Sequence, residues 1–168
     1  MVRLREVTEP DVALLDAWER DPEFRGEFND FGQPPADNAA RFAKGFIDSM
    51  HGTLIVETGA GEAIGTVDWR PVMYGPPPDS MAYQFGISLV PSARGRGYGA
   101  EALRQLVAYL FEHTPVNRIE GSCDVENRPS RRMLEKAGFR FEGVNRGAQF
   151  RRGTYHDLML FAVVRSDV

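Results

Sequence analysis

Three glycines at alternate positions, Gly95, Gly97 and Gly99, are interleaved with Arg94, Arg96 and Tyr98 in the stretch "PSARGRGYGAEAL". Glycine has no Cβ, so such a backbone can adopt positive φ and let a ligand approach the main chain closely. Leu103, Leu106, Val107 and Leu110 follow at helical spacing, so the bare segment ends where a helix begins. A helix start offers free N–H groups and the positive end of a dipole, which suits a phosphate or pyrophosphate.

Two nucleotide loops compete for this pattern. A P-loop needs Lys and then Ser or Thr after its last glycine, and Ala100 and Glu101 stand there instead. The dinucleotide fingerprint is met formally: Gly95, Gly97 and Ala100 fit G-x-G-x-x-A, and Glu120 lies about 20 residues on, where a ribose partner would stand. That unit normally repeats, whereas here hairpin patterns flank it on both sides.

The other candidates are carboxylates. Glu120 and Asp124 share one face of a strand by even spacing, and Asp68 sits on an earlier hairpin. Glu120 or Asp124 could serve as a general base through a water, Asp68 is another candidate base, and an ion pair with a nearby arginine accounts for each of them at least as well. His51, His113 and His156 are too scattered for a metal site, and Cys123 is the only cysteine, so no metal is expected and no intrachain disulfide can form.

Positioning these groups requires mixed α/β elements. "VRLREV" reads as a first strand, and "TEPDVALLDAWERD" as a helix with Thr8 as N-cap and Leu14, Leu15 and Trp18 on one face. After the turn-rich "FNDFGQPPADN", a second helix is predicted over "AARFAKGFIDSM". "GTLIVET" and "EAIGTVDWRPVMY" form a hairpin, and "MAYQFGISLV" is a central strand that runs into the glycine loop and the long helix. "NRIEGSCDV" is another strand, "RPSRRMLEKAG" a short helix stopped by Gly138, and residues 139–164 a long hairpin.

A chain of 168 residues with 42% hydrophobic residues fits one domain, 1–168, with a sizeable core. Neither a signal-peptide core nor an apolar run near the roughly 20 residues of a membrane span is present, so a cytoplasmic protein is expected. The net charge of −4 conceals a division: residues 1–80 hold 15 acidic and 7 basic residues (−8), residues 94–152 hold 12 basic and 7 acidic (+5). Without a long basic run or an aromatic stacking series, nucleic acid is not an expected partner.

Arg94-Gly95-Arg96-Gly97-Tyr98-Gly99 resembles the Q/R-x-x-G-x-G/A signature of the GNAT superfamily of acyl-CoA-dependent N-acetyltransferases. "ENRPSRRMLEKAGFRFEG" resembles its N-x-x-S-x-x-x-L-E-K-x-G-F segment at Asn127, Ser130, Leu134, Glu135, Lys136, Gly138 and Phe139. The Ser-containing version is similar to the branch of ribosomal-protein, spermidine and some aminoglycoside acetyltransferases. The resemblance implies a single GNAT fold, a mostly antiparallel sheet of about seven strands with about four helices and splayed central strands.

It also implies that backbone amides from Arg94 to Ala100 hold the pyrophosphate of coenzyme A, aided by the side chains of Arg94 and Arg96. Ile87, Ser88, Leu89 and Val90 would line the pantetheine arm, and Asn127 would bond the cofactor or cap its helix. Many relatives place a tyrosine acid where this chain has Leu134, so Ser130 inherits the role or is itself a cap. The strand glutamate common in the family is Gln84 here, and an amide cannot take a proton. Trp69 and Tyr83 could wall the acceptor pocket or belong to the core.

The reading is thus acetyl transfer from acetyl-CoA to a primary amine, by a monomer or homodimer. An acyl-CoA sensor without turnover and a larger acyl group are the alternatives. Antibiotic, polyamine, amino sugar and protein N-terminus all remain possible acceptors. Carboxylates crowded near the first two helices, Glu27 and Asp30 among them, suggest a cationic small molecule.

Overall fold

Seven strands form: β1 (Val2–Arg5), β2 (Gly52–Thr58), β3 (Ala63–Met73), β4 (Met81–Leu89), β5 (Arg118–Asp124), β6 (Arg140–Arg151) and β7 (Thr154–Val164), with β2 buried along almost its whole length and β6 mostly exposed. The helices are α1 (Glu9–Arg20), α2 (Pro22–Arg25), α3 (Asn38–Lys44), α4 (Tyr98–His113) and α5 (Arg128–Lys136). This computed structural model describes all 168 residues. The strands make one sheet in the order β1-β2-β3-β4-β5-β7-β6, antiparallel everywhere except between β4 and β5.

Two local expectations need correction. A fifth helix exists, the single turn α2, which Asp21 caps by accepting from the Glu23 N–H at 2.9 Å. The helix predicted to run to Met50 stops at Lys44, because Gly45 turns the chain at φ +90. Phe46, Ile47 and Met50, beyond the helix end, pack individually against the cores on the two faces of the sheet.

Those faces have different tasks. On one, Leu54, Val67, Trp69, Tyr83 and Phe85 meet Leu103, Leu106 and Leu110 of α4, each of these leucines fully buried. Burial of that kind stabilises by about 1.5–3 kcal/mol per side chain, which fixes the start of α4 against the sheet. On the other face, only Ile55, Leu15, Trp18 and Phe24 form a small buried cluster. The rest of that face is available for a site.

The sheet opens at its centre. β4 pairs with β5 only at Tyr83–Ile119 and Gln84–Glu120, although β4 stays paired with β3 as far as Leu89 and β5 with β7 as far as Asp124. Beyond Gln84 the edge of β4 therefore has no strand partner on the β5 side. The Phe85 ring occupies the angle between the strands, where a Cβ on Gly121 would fall 2.3 Å from it.

Candidate active site

The glycine segment lies directly beyond the end of β4, with residues 94–97 exposed. Gly95 and Gly97 have φ +73 and +84, and a Cβ added to either would meet nothing within 4 Å. Glycine is required there for its backbone conformation, and the space above it is open to a ligand. No N–H from Gly95 to Ala100 donates within the chain, which leaves six consecutive free donors at the start of a 16-residue helix. Gly99 serves packing instead: a Cβ would lie 2.5 Å from Met133 Sδ on α5. Six unpartnered amides and a helix dipole fit a pyrophosphate, so these residues suit coenzyme A.

The two arginines divide. Arg94 donates to the carbonyls of Leu89 (2.9 Å), Glu23 and Phe24 (2.8 Å each), clamping α2 to the end of β4, so its guanidinium is already occupied. Arg96 lies over the Tyr98 ring at 5.3 Å and has no hydrogen bond or ion pair in the chain. Of residues 87–90, Ile87 and Leu89 face the α4 core, Ser88 faces the opposite cleft, and Val90 donates to the Ile64 carbonyl at 2.8 Å.

On α5, Asn127 Oδ1 accepts from the Ser130 N–H at 3.2 Å, so Asn127 is the cap. The Ser130 hydroxyl has no bond within the chain and is partly exposed. Ser130 stands one helical turn before Leu134, on the same face, while Leu134 is buried in the core at 1% exposure. A hydroxyl is thus free one turn from the position that holds tyrosine in many relatives.

The second face of the sheet carries a cleft of about 670 Å³ between β3, the ends of α1 and α3, and the loop between them. Asp68 and Ser88 lie on its floor. Asp68 is opposite Gly86, just past the last β4–β5 pair, and a Cβ on Gly86 would fall 2.6 Å from its carboxylate. The pleat explains the pairing: only glycine lets that carboxylate lie across β4. Burial pushes the Asp68 carboxyl up, more than the charges of Arg70 and Arg41 pull it down, although its side chain is still 44% exposed.

The remaining candidates are placed otherwise. Glu120 is buried, accepting from the Tyr74 hydroxyl at 2.6 Å and Arg118 Nε at 2.7 Å. Both donors meet the same oxygen, Oε2, on a buried side chain, and the sheet's single parallel pair is no dinucleotide unit, so that alternative fails. Asp124 accepts from Arg151 at 2.7 Å and from the Glu126 N–H at 2.8 Å. Burial alone would raise its carboxyl, but Arg151, that N–H and nearby charges outweigh it and hold the group below its ordinary range. Tyr83 is buried and donates to the Ser49 carbonyl at 3.3 Å, and Gln84 accepts from Arg70 at 2.5 Å. Trp69 packs on Gly52 and Tyr109 in the core, touching the cleft only at its edge.

The acidic segment does not line the cleft as its sequence position suggests. Glu27 is exposed elsewhere, and Asp30 binds the Gly32 N–H at 3.2 Å and stands 3.8 Å from Arg152. Glu19 alone of that segment reaches the cleft, where it accepts from the Ala36 N–H at 2.6 Å and from Asn38 at 3.2 Å. Charge counted along the chain did not reveal which face each side chain takes.

The description "Acetyltransferase (GNAT) domain" belongs to the family model that matches residues 2–140. An uncharacterized N-acetyltransferase p20 from Bacillus licheniformis is 30% identical over 84 residues, 50% of this chain and 47% of the relative. The chain thus spans about half the length of the curated relative it matches. Similar in fold are the spermidine N-acetyltransferase of Vibrio cholerae, solved with CoA and spermine (TM-score 0.81, 20% identity, 99% of this chain and 96% of that one), and Mycobacterium smegmatis RimJ with CoA-disulfide (TM-score 0.80, 23% identity, 99% and 83%). The family match covers the glycine loop, the split strands and the α5 segment together, and the chain belongs to the GNAT acetyltransferase family.

Proposed function

We propose that the chain transfers an acetyl group from acetyl-CoA to the primary amine of a small molecule held in the cleft. The observation that carries this reading is the run of six unpartnered amides, Gly95 to Ala100, at the open end of the β4–β5 split. These amides, with Arg96 beside them, hold the pyrophosphate, and the unpaired edge of β4 beyond Gln84 takes the pantetheine arm. Bound there, acetyl-CoA supplies an activated acyl carbon and a thiolate leaving group.

The chain's own residues do the rest. Asp68, beside the start of the split, attracts the acceptor's ammonium, and its raised pKa brings it closer to accepting the proton that the amine must lose. The free Ser130 hydroxyl donates to the departing sulfur. Asn127 holds the first turn of α5 so that Ser130 stays unpaired. Asp124 and Glu120 have no role in proton transfer in this scheme, because both are committed to arginines. The cleft volume lies in the range of small-molecule sites; a protein N-terminus would have to enter the same space.

Release of free thiol from acetyl-CoA, followed with and without a panel of amines, tests the reading. Amine-dependent release supports it, and tight acetyl-CoA binding with no release from any amine would leave only a sensing module, the alternative that Leu134 favours. Ser130→Ala is expected to lower kcat about a hundredfold while the CoA Kd stays within about twofold, since a proton donor to the thiolate acts in the transition state. Equal kcat in the two proteins would remove Ser130 from the chemistry.

A further inference from the structure

Four cationic side chains line the cleft, Arg25, Arg41, Lys44 and Arg70, and none is hydrogen-bonded to a carboxylate. Arg41 donates to Asn38 Oδ1 at 3.1 Å and Thr53 Oγ1 at 3.2 Å, both neutral acceptors, and comes no nearer to Glu19 than 3.9 Å. Arg70 donates to Gln84 and stands 3.9 Å from Asp68. Arg25 donates only to the Gln33 carbonyl, and Lys44 has no partner in the chain. Four other arginines, Arg5, Arg118, Arg131 and Arg151, are by contrast each hydrogen-bonded to a carboxylate at 2.9 Å or less, whereas Arg94, Arg104 and Arg165 donate only to carbonyls.

The acids of the cleft do not balance this charge. Glu19 is engaged by the Ala36 N–H and Asn38, and Asp48 accepts the Met50 and His51 N–H groups at 2.7 Å each. Asp68 alone has no hydrogen bond in the chain, and it lies within the field of two guanidiniums, Arg70 at 3.9 Å and Arg41. The cleft therefore sets four cations against three carboxylates, and only one of those carboxylates, Asp68, has no hydrogen bond in the chain.

Building on the acetyl-transfer reading, we infer that the acceptor is a zwitterionic α-amino acid, its ammonium at Asp68 and its carboxylate on Arg41 and Arg70. Phe24, Phe31, Phe46 and Trp18 supply an apolar surface for its side chain. A polyamine fits poorly, because its second ammonium would face those cations. Recognition of the carboxylate by guanidinium makes charge-assisted, fork-shaped hydrogen bonds, which an amine lacking that group cannot make.

Calorimetry in the presence of saturating CoA measures acceptor binding without turnover, so the result does not depend on whether acetyl transfer occurs. The probes are a panel of α-amino acids, each set against its decarboxylated amine, together with spermidine. The tightest-binding amino acid is expected to exceed its amine by about tenfold or more, the worth of one charge-assisted hydrogen bond. Arg70→Gln and Arg41→Gln, checked for an unchanged fold by circular dichroism, should each reduce that ratio towards one while the CoA Kd remains unchanged. Spermidine or the plain amines binding as tightly as the amino acids would overturn the inference. So would variants that weaken CoA as much as the amino acid, since the cations would then serve the cofactor. Absence of thiol release in a parallel assay would overturn only the acetyl-transfer reading.

Discussion

Gly97→Val is expected to abolish coenzyme A binding and to leave the fold standing. At φ +84 the residue N-terminal to α4 occupies the left-handed region, where a β-branched side chain is strained by about 1–2 kcal/mol. The new Cβ meets no protein atom within 4 Å, so the core of the sheet is not disturbed. Relief of the strain must come from the backbone itself, through rotation of the exposed peptide units that carry the donors. Losing two of the charge-assisted bonds to pyrophosphate, at about 1.5–3 kcal/mol each, raises the CoA Kd by at least a hundredfold or so. The valine occupies the same space that the ligand would. Calorimetry with CoA, beside a melting curve, reads both effects; unchanged affinity would remove this loop from the site.

Asp68→Asn should have the second largest effect, with opposite signs on activity and stability. An asparagine keeps the shape over Gly86 but can neither attract an ammonium nor accept its proton, so kcat/KM for the amine falls by about a hundredfold or more. The native carboxyl is held above its ordinary 3.8 by burial, so the folded state binds the proton more tightly than the unfolded state. Native stability from this group is therefore complete at acid pH below the unfolded value and declines as pH rises through the folded pKa. At pH 7 the asparagine variant should melt no lower than the native protein, and any gain should vanish as the pH is brought below about 3.8, the unfolded value. Steady-state rates and melting temperatures at several pH values check both signs. A variant that is less stable at pH 7 yet fully active would mean that Asp68 is structural. Gly86→Ala offers a second route to the same carboxylate, since its Cβ displaces Asp68 without changing any titratable group.

Much of this arrangement was legible in the residues because it is written locally. Glycine spacing, the apolar period after Ala100 and the Asn127-to-Phe139 segment each lie within a few turns of chain, so the loop, α4 and α5 could be placed by pattern alone. The seven strands were placed as well, from apolar runs and the turn residues between them. What stayed hidden depends on register and on which face a side chain takes. The opposition of Asp68 and Gly86 joins residues on separate strands and follows from the β3–β4 register. Arg94 looked like a phosphate ligand from its place in the signature, yet it donates to carbonyls about 70 residues away in α2. Glu120 and Asp124 shared a face as predicted; the partner of Glu120, Arg118, lies two residues before it on β5, but that of Asp124, Arg151, comes from the end of β6, 27 residues on. The cleft combines the cations Arg25, Arg41, Lys44 and Arg70 from α2, α3 and β3, a grouping that no window of sequence contains.

Acetyl transfer by this chain requires that the amides of Gly95, Arg96, Gly97, Tyr98, Gly99 and Ala100 bind the pyrophosphate. Nitrogen–proton correlation spectra recorded during a titration with coenzyme A observe those six groups one by one. All six are expected to undergo the largest shifts in the protein and to become protected from solvent exchange as binding saturates. Saturable binding that leaves all six resonances in place, with the largest shifts elsewhere, would contradict that assignment.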